Sequence, residues 1–321
     1  MSDSESRFSL VVGEGDGAML GLAAGDSAGG AWDLGYSAIT EQATVIAYQL
    51  IENTQLDIDQ TLRAIRELDG ANDEEPVYRA ETPHFRTWLA RASAGGAVPE
   101  EDPSLDAAPR GVPVGVALRR DPDALRTAAV ELGSVFHSDL SSIVAGVVSA
   151  SAAAASCFGQ SGRDLIAGVV ETVELTAAQA GSKLRWTGPK SWEELVADLR
   201  PLMDHVGVTE AAEALAIVDA SAVPEPWDLI RAGLLLAAPL ADRSHIPVEQ
   251  AARIGGSTLG AVVGGIIGAR VGIRAWPWAF ANDTWFAEIG RRLVRGPNEV
   301  SDLPIPYAVE QHLISGEKGF R

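Results

Sequence analysis

The sequence predicts an all-α protein, and two observations lead to this conclusion. Apolar residues recur at spacings of three and four through most of the chain, whereas alternation with a period of two is scarce. In addition, residues 254–273 (IGGSTLGAVVGGIIGARVGI) carry a glycine at every fourth position from 256 to 272. Because each glycine weakens an exposed helix by roughly 1 kcal/mol, this row indicates a helix that packs closely against another backbone.

The predicted helices follow one another with few breaks. Gly29 and Gly30 are expected to end the first, Thr40 to begin the second, and a proline in the first turn to begin those at 122 and 247. The stretch 93–113 is rich in glycine, proline and acidic residues, so it is predicted to be the longest loop, a rim or lid. Helices are expected at about 16–28, 40–53, 57–68, 80–92, 122–132, 139–156, 163–180, 191–203, 209–218, 226–236, 247–253, 254–273 and 283–295.

Composition limits the classes of function. The 321 residues contain no linker-like stretch that would separate one domain from another, so a single domain over residues 1–321 is expected. A formal net charge of −19 argues against a nucleic-acid partner, because such binding depends on clustered lysine and arginine. Cys157 is the only cysteine, and its alanine-rich neighbours in the sequence predict a buried, unreactive thiol.

The expected location is the cytoplasm, with no membrane partner. The N-terminus is acidic and polar where a secretory signal would be basic and then apolar. The uncharged run 140–158 approaches the length of a membrane span, but its serines and alanines make it less lipophilic than a span of roughly 20 strongly apolar residues. We therefore predict that this run forms a buried central helix.

Short segments spread over nearly the whole chain match one known family in order. They are residues 17–29 (GAMLGLAAGDSAG), 36–40 (YSAIT), 108–115 (APRGVPVG), 137–139 (HSD) and 255–260 (GGSTLG). Together they resemble the ADP-ribosylglycohydrolase family, in which the second segment is Y-[ST]-D-D-T and the last is GG-D-x-D-T. The resemblance implies an all-α fold that hydrolyses an N- or O-glycosidic bond at a ribose, with aspartates holding two magnesium ions.

The chain departs from this pattern at the metal ligands. Ala38 and Ile39 stand at the first pair of aspartate positions, and Ser257 and Leu259 at the second. Magnesium usually binds one or two carboxylates together with waters and ligand oxygens, so neither a metal nor another cofactor is expected here. The leading hypothesis is a pseudoenzyme that binds a nucleotide-sugar-like ligand or a protein partner.

A ligand is expected where the two altered motifs meet. Backbone N–H groups of a glycine pair at a helix start can hold an anion, nearby hydroxyls can bind a ribose, and a histidine can contact ribose or phosphate. A buried histidine bonded to the backbone is the competing interpretation of His137, and Trp32 is either a stacking residue or a core residue. The predicted binding set is Ser37, Thr40, His137, Gly255, Gly256, Ser257 and Thr258.

The acids near these motifs also have structural interpretations. Asp26 is expected to cap a helix or to hydrogen-bond inside the bundle, and Asp139 to cap the following helix or to orient His137. Asp33 and Glu41 are expected to be solvated, with Glu41 in a first turn where an acid is favourable.

Two other functions remain open. A metal-independent glycoside hydrolase would use Asp26, His137 and Asp139 as catalytic groups, since two carboxyl groups suffice for many glycosidases. In a scaffolding protein, the bulky apolar side chains of Ile39 and Leu259 would instead fill the cleft.

Overall fold

The computed structural model describes residues 15–30, 35–53, 55–70, 78–94, 99–180, 186–240, 243–273, 276, 281–296, 302–306 and 308–309. These residues form thirteen α-helices and one 3₁₀ helix and contain no β-strand, so the all-α prediction is confirmed. The α-helices are α1 (Ala18–Gly30), α2 (Ala38–Glu52), α3 (Ile58–Gly70), α4 (Pro83–Ser93), α5 (Ala107–Ala117), α6 (Pro122–Phe136), α7 (Leu140–Cys157), α8 (Gly162–Ala180), α9 (Trp192–Leu199), α10 (Ala211–Ile217), α11 (Pro226–Ala237), α12 (His245–Val271) and α13 (Asp283–Arg295).

Helices α1 and α12 pack backbone to backbone in antiparallel order. A Cβ atom added to Gly25 would lie 1.9 Å from the Gly260 oxygen, and one added to Gly264 would lie 2.1 Å from the Gly21 oxygen. No side chain fits at such distances. The glycine row of α12 therefore has the close neighbour that its spacing predicted, and that neighbour carries glycines at the same interval of four residues.

Helices α5 and α7 form a second close pair, and the prediction of a loop over 93–113 is wrong where α5 begins. Residues 107–117 form a buried helix, although Pro113 lies inside it. A Cβ added to Gly111 would lie 2.2 Å from the Gly146 oxygen, and one added to Gly115 would lie 2.0 Å from the Ala150 oxygen. Packing against α7 thus overrides the poor helix propensity of the glycines and prolines.

Most other helix boundaries differ from the prediction by a few residues. Helix α1 ends at the predicted glycine pair, but Gly29 and Gly30 are its last two residues and do not follow it. Helix α2 begins at Ala38 behind its N-cap Ser37, before the predicted start at Thr40. The predicted helix over 191–203 is α9 followed by a 3₁₀ helix over Arg200–Asp204.

Helix α7 lies in the core, as predicted for a buried central helix. Both α7 and α12 are long and apolar enough to cross a membrane by length and composition, but 89% and 67% of their most apolar windows are buried inside the protein. Cys157, the last residue of α7, is also buried. Burial raises the pKa of its thiol to about 12, which makes the reactive thiolate scarce near neutral pH.

Candidate functional site

Asp26, near the end of α1, binds the start of α2. Its buried carboxylate accepts hydrogen bonds from the Ser37 N–H at 2.8 Å, from the Ser37 hydroxyl at 2.8 Å and from the Thr40 hydroxyl at 2.7 Å. The Thr40 N–H adds a longer bond of 3.3 Å. Burial raises the pKa of the Asp26 carboxyl, and these hydrogen bonds act in the opposite direction. The carboxylate therefore caps α2 from a neighbouring helix.

Three of the four positions at which the family motifs carry aspartate are buried hydrocarbon. Ala38 and Leu259 are fully buried, and Ile39 is 7% exposed. Leu259 fills the space beside two glycines, because a Cβ added to Gly233 or Gly255 would lie within 2.6 Å or 2.5 Å of its side chain. Hydrocarbon side chains packed in the core thus stand at three positions where the family resemblance implies metal ligands.

Helix α12 is interrupted at its glycine pair. Gly255 has φ −129° and ψ 15°, Gly256 has φ 61° and ψ −159°, and the helix restarts behind them. The Ser257 hydroxyl, at the fourth altered position, donates a 2.9 Å hydrogen bond to the main-chain oxygen of Asp26. Asp26 therefore connects the two altered motifs, because its main-chain oxygen binds Ser257 and its side chain binds Ser37 and Thr40. Residues 255–258 lie half-buried at this junction.

His137 lies in a separate buried cluster. Its Nε2 is 3.4 Å from the Arg110 Nη1, and because arginine only donates, this nitrogen accepts and the proton is on Nδ1. Nδ1 has no hydrogen-bond partner among the residues that the structure describes. Burial, with the nearby Arg110 charge, holds the pKa of His137 well below its usual value. The buried interpretation of His137 is thus the one the structure favours, although its partner is a side chain rather than backbone.

Arg110 connects this cluster to α2. It donates to the Gln42 side-chain oxygen from Nε at 2.8 Å and from Nη2 at 2.6 Å. Its guanidinium carbon is 3.8 Å from the centre of the Phe136 ring, a cation–π contact. Burial lowers the pKa of Arg110 to about 10. Sequence reasoning did not identify Gln42, because 68 positions separate it from Arg110.

Asp139 caps α7. Its Oδ1 accepts hydrogen bonds from the Ser142 N–H at 2.8 Å and from the hydroxyls of Ser141 at 2.6 Å and Ser142 at 2.8 Å. Its Oδ2 is buried beside Gly188, where an added Cβ would lie 2.3 Å away, and has no hydrogen-bond partner within the described ranges. The hydrogen bonds of Asp139 thus go to α7 and not to His137.

Glu41 contradicts the prediction of a solvated acid. Its side chain is fully buried and accepts hydrogen bonds from the Arg79 Nε at 2.8 Å and from the Arg79 main-chain N–H at 3.2 Å. The Arg79 main-chain oxygen in turn accepts a 2.6 Å hydrogen bond from the Ala38 N–H. Sequence reasoning missed Arg79, because 38 positions separate it from Glu41 and no local pattern marks it.

These residues do not fit the dinuclear magnesium centre that the family motifs imply. Magnesium requires oxygen ligands in a near-ideal octahedron. The carboxylates of Asp26 and Glu41 are already engaged by hydrogen-bond donors, and hydrocarbon occupies positions 38, 39 and 259. Across the described stretches of the chain, no group of three or more His, Cys, Asp or Glu side chains is placed to hold a metal ion.

Two surface cavities lie away from the junction of the motifs. A groove of about 720 Å³ between α8 and α9 is lined by Trp186 and Trp192, whose rings meet edge to face at 5.9 Å. A cavity of about 340 Å³ lies between α2, α3 and residues 305–306. Trp32 and Asp33 lie outside the described residues, so their interpretations stay predictions.

Comparison with known proteins agrees with this fold. The family model for ADP-ribosylglycohydrolase matches residues 14–302. A solved structure of an ADP-ribosylglycohydrolase-related protein complex is 18% identical in sequence and superposes with a TM-score of 0.61, over 88% of this chain and 97% of that one. No curated protein matched the sequence. Since the family model covers most of the chain, this protein belongs to the ADP-ribosylglycohydrolase family.

Proposed function

We propose that this protein acts by binding a ligand and not by dinuclear-magnesium hydrolysis. The proposal rests on the burial and hydrogen bonding of the residues in and beside the altered motifs. Ala38, Ile39 and Leu259 are buried hydrocarbon, while the Asp26 carboxylate is engaged by Ser37 and Thr40. Two divalent ions placed there would repel each other without anions to offset their charge.

The best-supported ligand is a nucleotide-sugar-like molecule, bound without metal. Helix α12 restarts behind Gly256, and the first N–H groups of a helix are favourable neighbours for a phosphate. Gly255, Gly256 and Thr258 are half-buried and remain for such a ligand, whereas the hydroxyls of Ser37 and Ser257 already bind Asp26. With few groups left, we expect micromolar or weaker affinity, a binding free energy of about −8 kcal/mol or less favourable.

The geometry gives less support to a metal-independent hydrolase. Its candidate groups are held by separate neighbours, Asp26 by α2, His137 by Arg110 and Asp139 by α7. A general acid or base must come within hydrogen-bond reach of the substrate, and all three side chains are almost fully buried.

A protein partner is the second candidate. The groove beside Trp186 and Trp192 favours it, because Trp186 is only half-buried there and tryptophan is enriched at protein interfaces.

The test measures metal and nucleotide binding separately. Titration calorimetry with Mg²⁺ and Mn²⁺ should show no site of micromolar affinity. A thermal-shift screen with ADP-ribose and NAD in the presence of a chelator should show a rise in melting temperature with at least one of them. Thr258→Glu, which places a negative charge at the restart of α12, should abolish that rise, and Thr209→Glu, an exposed threonine elsewhere, should not.

Each outcome distinguishes the hypotheses. Stoichiometric binding of two magnesium ions with release of ADP-ribose from an ADP-ribosylated substrate would overturn the proposal. If no nucleotide shifts the melting temperature and a protein co-purifies in fixed stoichiometry, the partner hypothesis replaces the ligand hypothesis.

A further inference from the structure

The first turn of α2 carries a buried acid on the face that the family uses for metal binding. Residues 38 and 41 are three positions apart, so their side chains project from the same side of the helix. In the motif that this chain resembles, residue 38 is a metal-binding aspartate. Here it is Ala38, and the carboxylate on that face belongs to Glu41, whose side chain is fully buried. A buried carboxylate is costly unless hydrogen-bond donors or a positive partner compensate its charge.

Arg79 supplies that partner from a distant segment. Its Nη2 lies 2.7 Å and its Nε 2.8 Å from the Glu41 Oε1, while its main-chain N–H donates to the Glu41 Oε2. The guanidinium also lies over the Tyr36 ring, 4.6 Å from its centre. A guanidinium is always charged near neutral pH and presents its donors in a fixed plane, which suits a carboxylate better than an ammonium would.

The segment around Arg79 is held in one place by its own contacts. The Tyr78 hydroxyl donates to the Ile65 main-chain oxygen at 2.8 Å, and the Arg79 oxygen accepts from the Ala38 N–H. Ala80, the next residue, has φ +47°, a conformation that residues with a side chain seldom adopt. Such backbone persists where surrounding contacts determine it, so the main chain that carries Arg79 is held in one conformation beside α2.

We propose that Arg79 is a built-in cation that replaces the metal charge at the first turn of α2. The inference rests on the proposed function, because it requires that the chain binds no magnesium pair. The guanidinium neutralises Glu41 in the place of a free ion, and its charge repels any divalent cation that approaches this face. Ala38 is consistent with this arrangement, since an aspartate there would add a second anion that one guanidinium could not neutralise.

The test removes the charge and looks for a gain of cation binding, which a merely structural ion pair would not produce. Arg79→Ala should bind Mn²⁺ about tenfold tighter than the unaltered chain, measured by electron paramagnetic resonance of the free ion. Adding Glu41→Gln should abolish the gain. Arg79→Lys keeps the charge and should gain nothing, and Arg86→Ala, which removes a surface ion pair with Glu81, should gain nothing either.

A second variant keeps the test decisive if Arg79→Ala fails to fold. Arg79→Gln retains a polar side chain without the charge, and Mn²⁺ should bind it and raise its melting temperature. If folded Arg79→Ala or Arg79→Gln shows no gain of Mn²⁺ binding, the inference is wrong, while the proposed function stands. If the unaltered chain itself binds Mn²⁺ or Mg²⁺ stoichiometrically, the proposed function fails first.

Discussion

The Ser257 hydroxyl donates a hydrogen bond to the main-chain oxygen of Asp26 across 231 positions of sequence. The side chain of Asp26 meanwhile holds the start of α2 through Ser37 and Thr40. One residue near the end of α1 therefore joins the break in α12 to the first turn of α2. In this chain the altered motifs hold three helices together by hydrogen bonds between protein groups.

Asp26→Asn should destabilise the fold. The amide has the size of the carboxylate, but its NH₂ group would face the donors of Ser37 and Thr40 and leave buried hydrogen-bonding groups unsatisfied. We expect a loss of about 3 kcal/mol in the free energy of unfolding, measured by urea denaturation followed by circular dichroism. Glu171→Gln, an exposed acid on α8, is the control and should change stability by less than about 0.5 kcal/mol. Equal stability of both variants would contradict the capping role.

Gly264→Ala should also be destabilising, for a steric reason. The added Cβ would lie 2.1 Å from the Gly21 oxygen, so α1 and α12 would have to separate. Overpacking of a core commonly costs about 1–3 kcal/mol of stability. Because the added Cβ would meet main-chain atoms, which cannot move aside as a flexible side chain can, we expect a loss near the upper end of that range. At Gly207, where an added Cβ meets nothing within 4 Å, the same substitution should be nearly neutral. A melting temperature unchanged by Gly264→Ala would mean that the two helices are farther apart than described.

Stability should fall in mild acid because of His137. Its folded-state pKa lies well below the usual value, so only the unfolded chain takes up this proton as the pH drops below about 6.5. The contribution of His137 to stability is therefore complete above that pH, and about 1.4 kcal/mol of it is lost at pH 5.5. His137→Asn should remove this component of the pH dependence, whereas substitution of the exposed His205 should leave it intact. Identical pH profiles for the chain and the His137 variant would refute the assignment.

Restoring one family aspartate should harm the protein. Leu259→Asp would place a carboxylate in a fully buried site beside Gly233, where Leu259 now packs. The expected loss is about 3–5 kcal/mol in the free energy of unfolding. Thr258→Asp, one position earlier at the half-buried start of a helix segment, should be tolerated because acids are favourable there. A stable Leu259→Asp variant would show that the site is roomier and wetter than its packing indicates.

The sequence predicted those features of the fold that depend on residues close together in the chain. The glycine row of α12 indicated a close backbone, which is seen. Of the two roles expected of Asp139, capping the next helix or orienting His137, the structure shows the cap. Helix α5 was missed because glycine and proline are unfavourable in an isolated helix. Its glycines allow the backbone of α7 to approach closely, and α7 lies farther along the sequence, so no local pattern shows this contact. The partner of Glu41 was missed for the same kind of reason, since Arg79 approaches it through tertiary contacts alone.

The pairing of α1 with α12 also has a consequence for biosynthesis. The two helices meet across more than two hundred positions, as the 231 between Asp26 and Ser257 illustrate. At a synthesis rate of about 5–20 residues per second, about 10–50 seconds pass between the synthesis of α1 and that of α12, and during this time the glycine face of α1 has no helix to pack against. We therefore expect nascent chains to engage chaperones through this N-terminal helix. A ribosome that stalls before α12 would release a product whose first helix has nothing to pack against, and degradation is its expected fate.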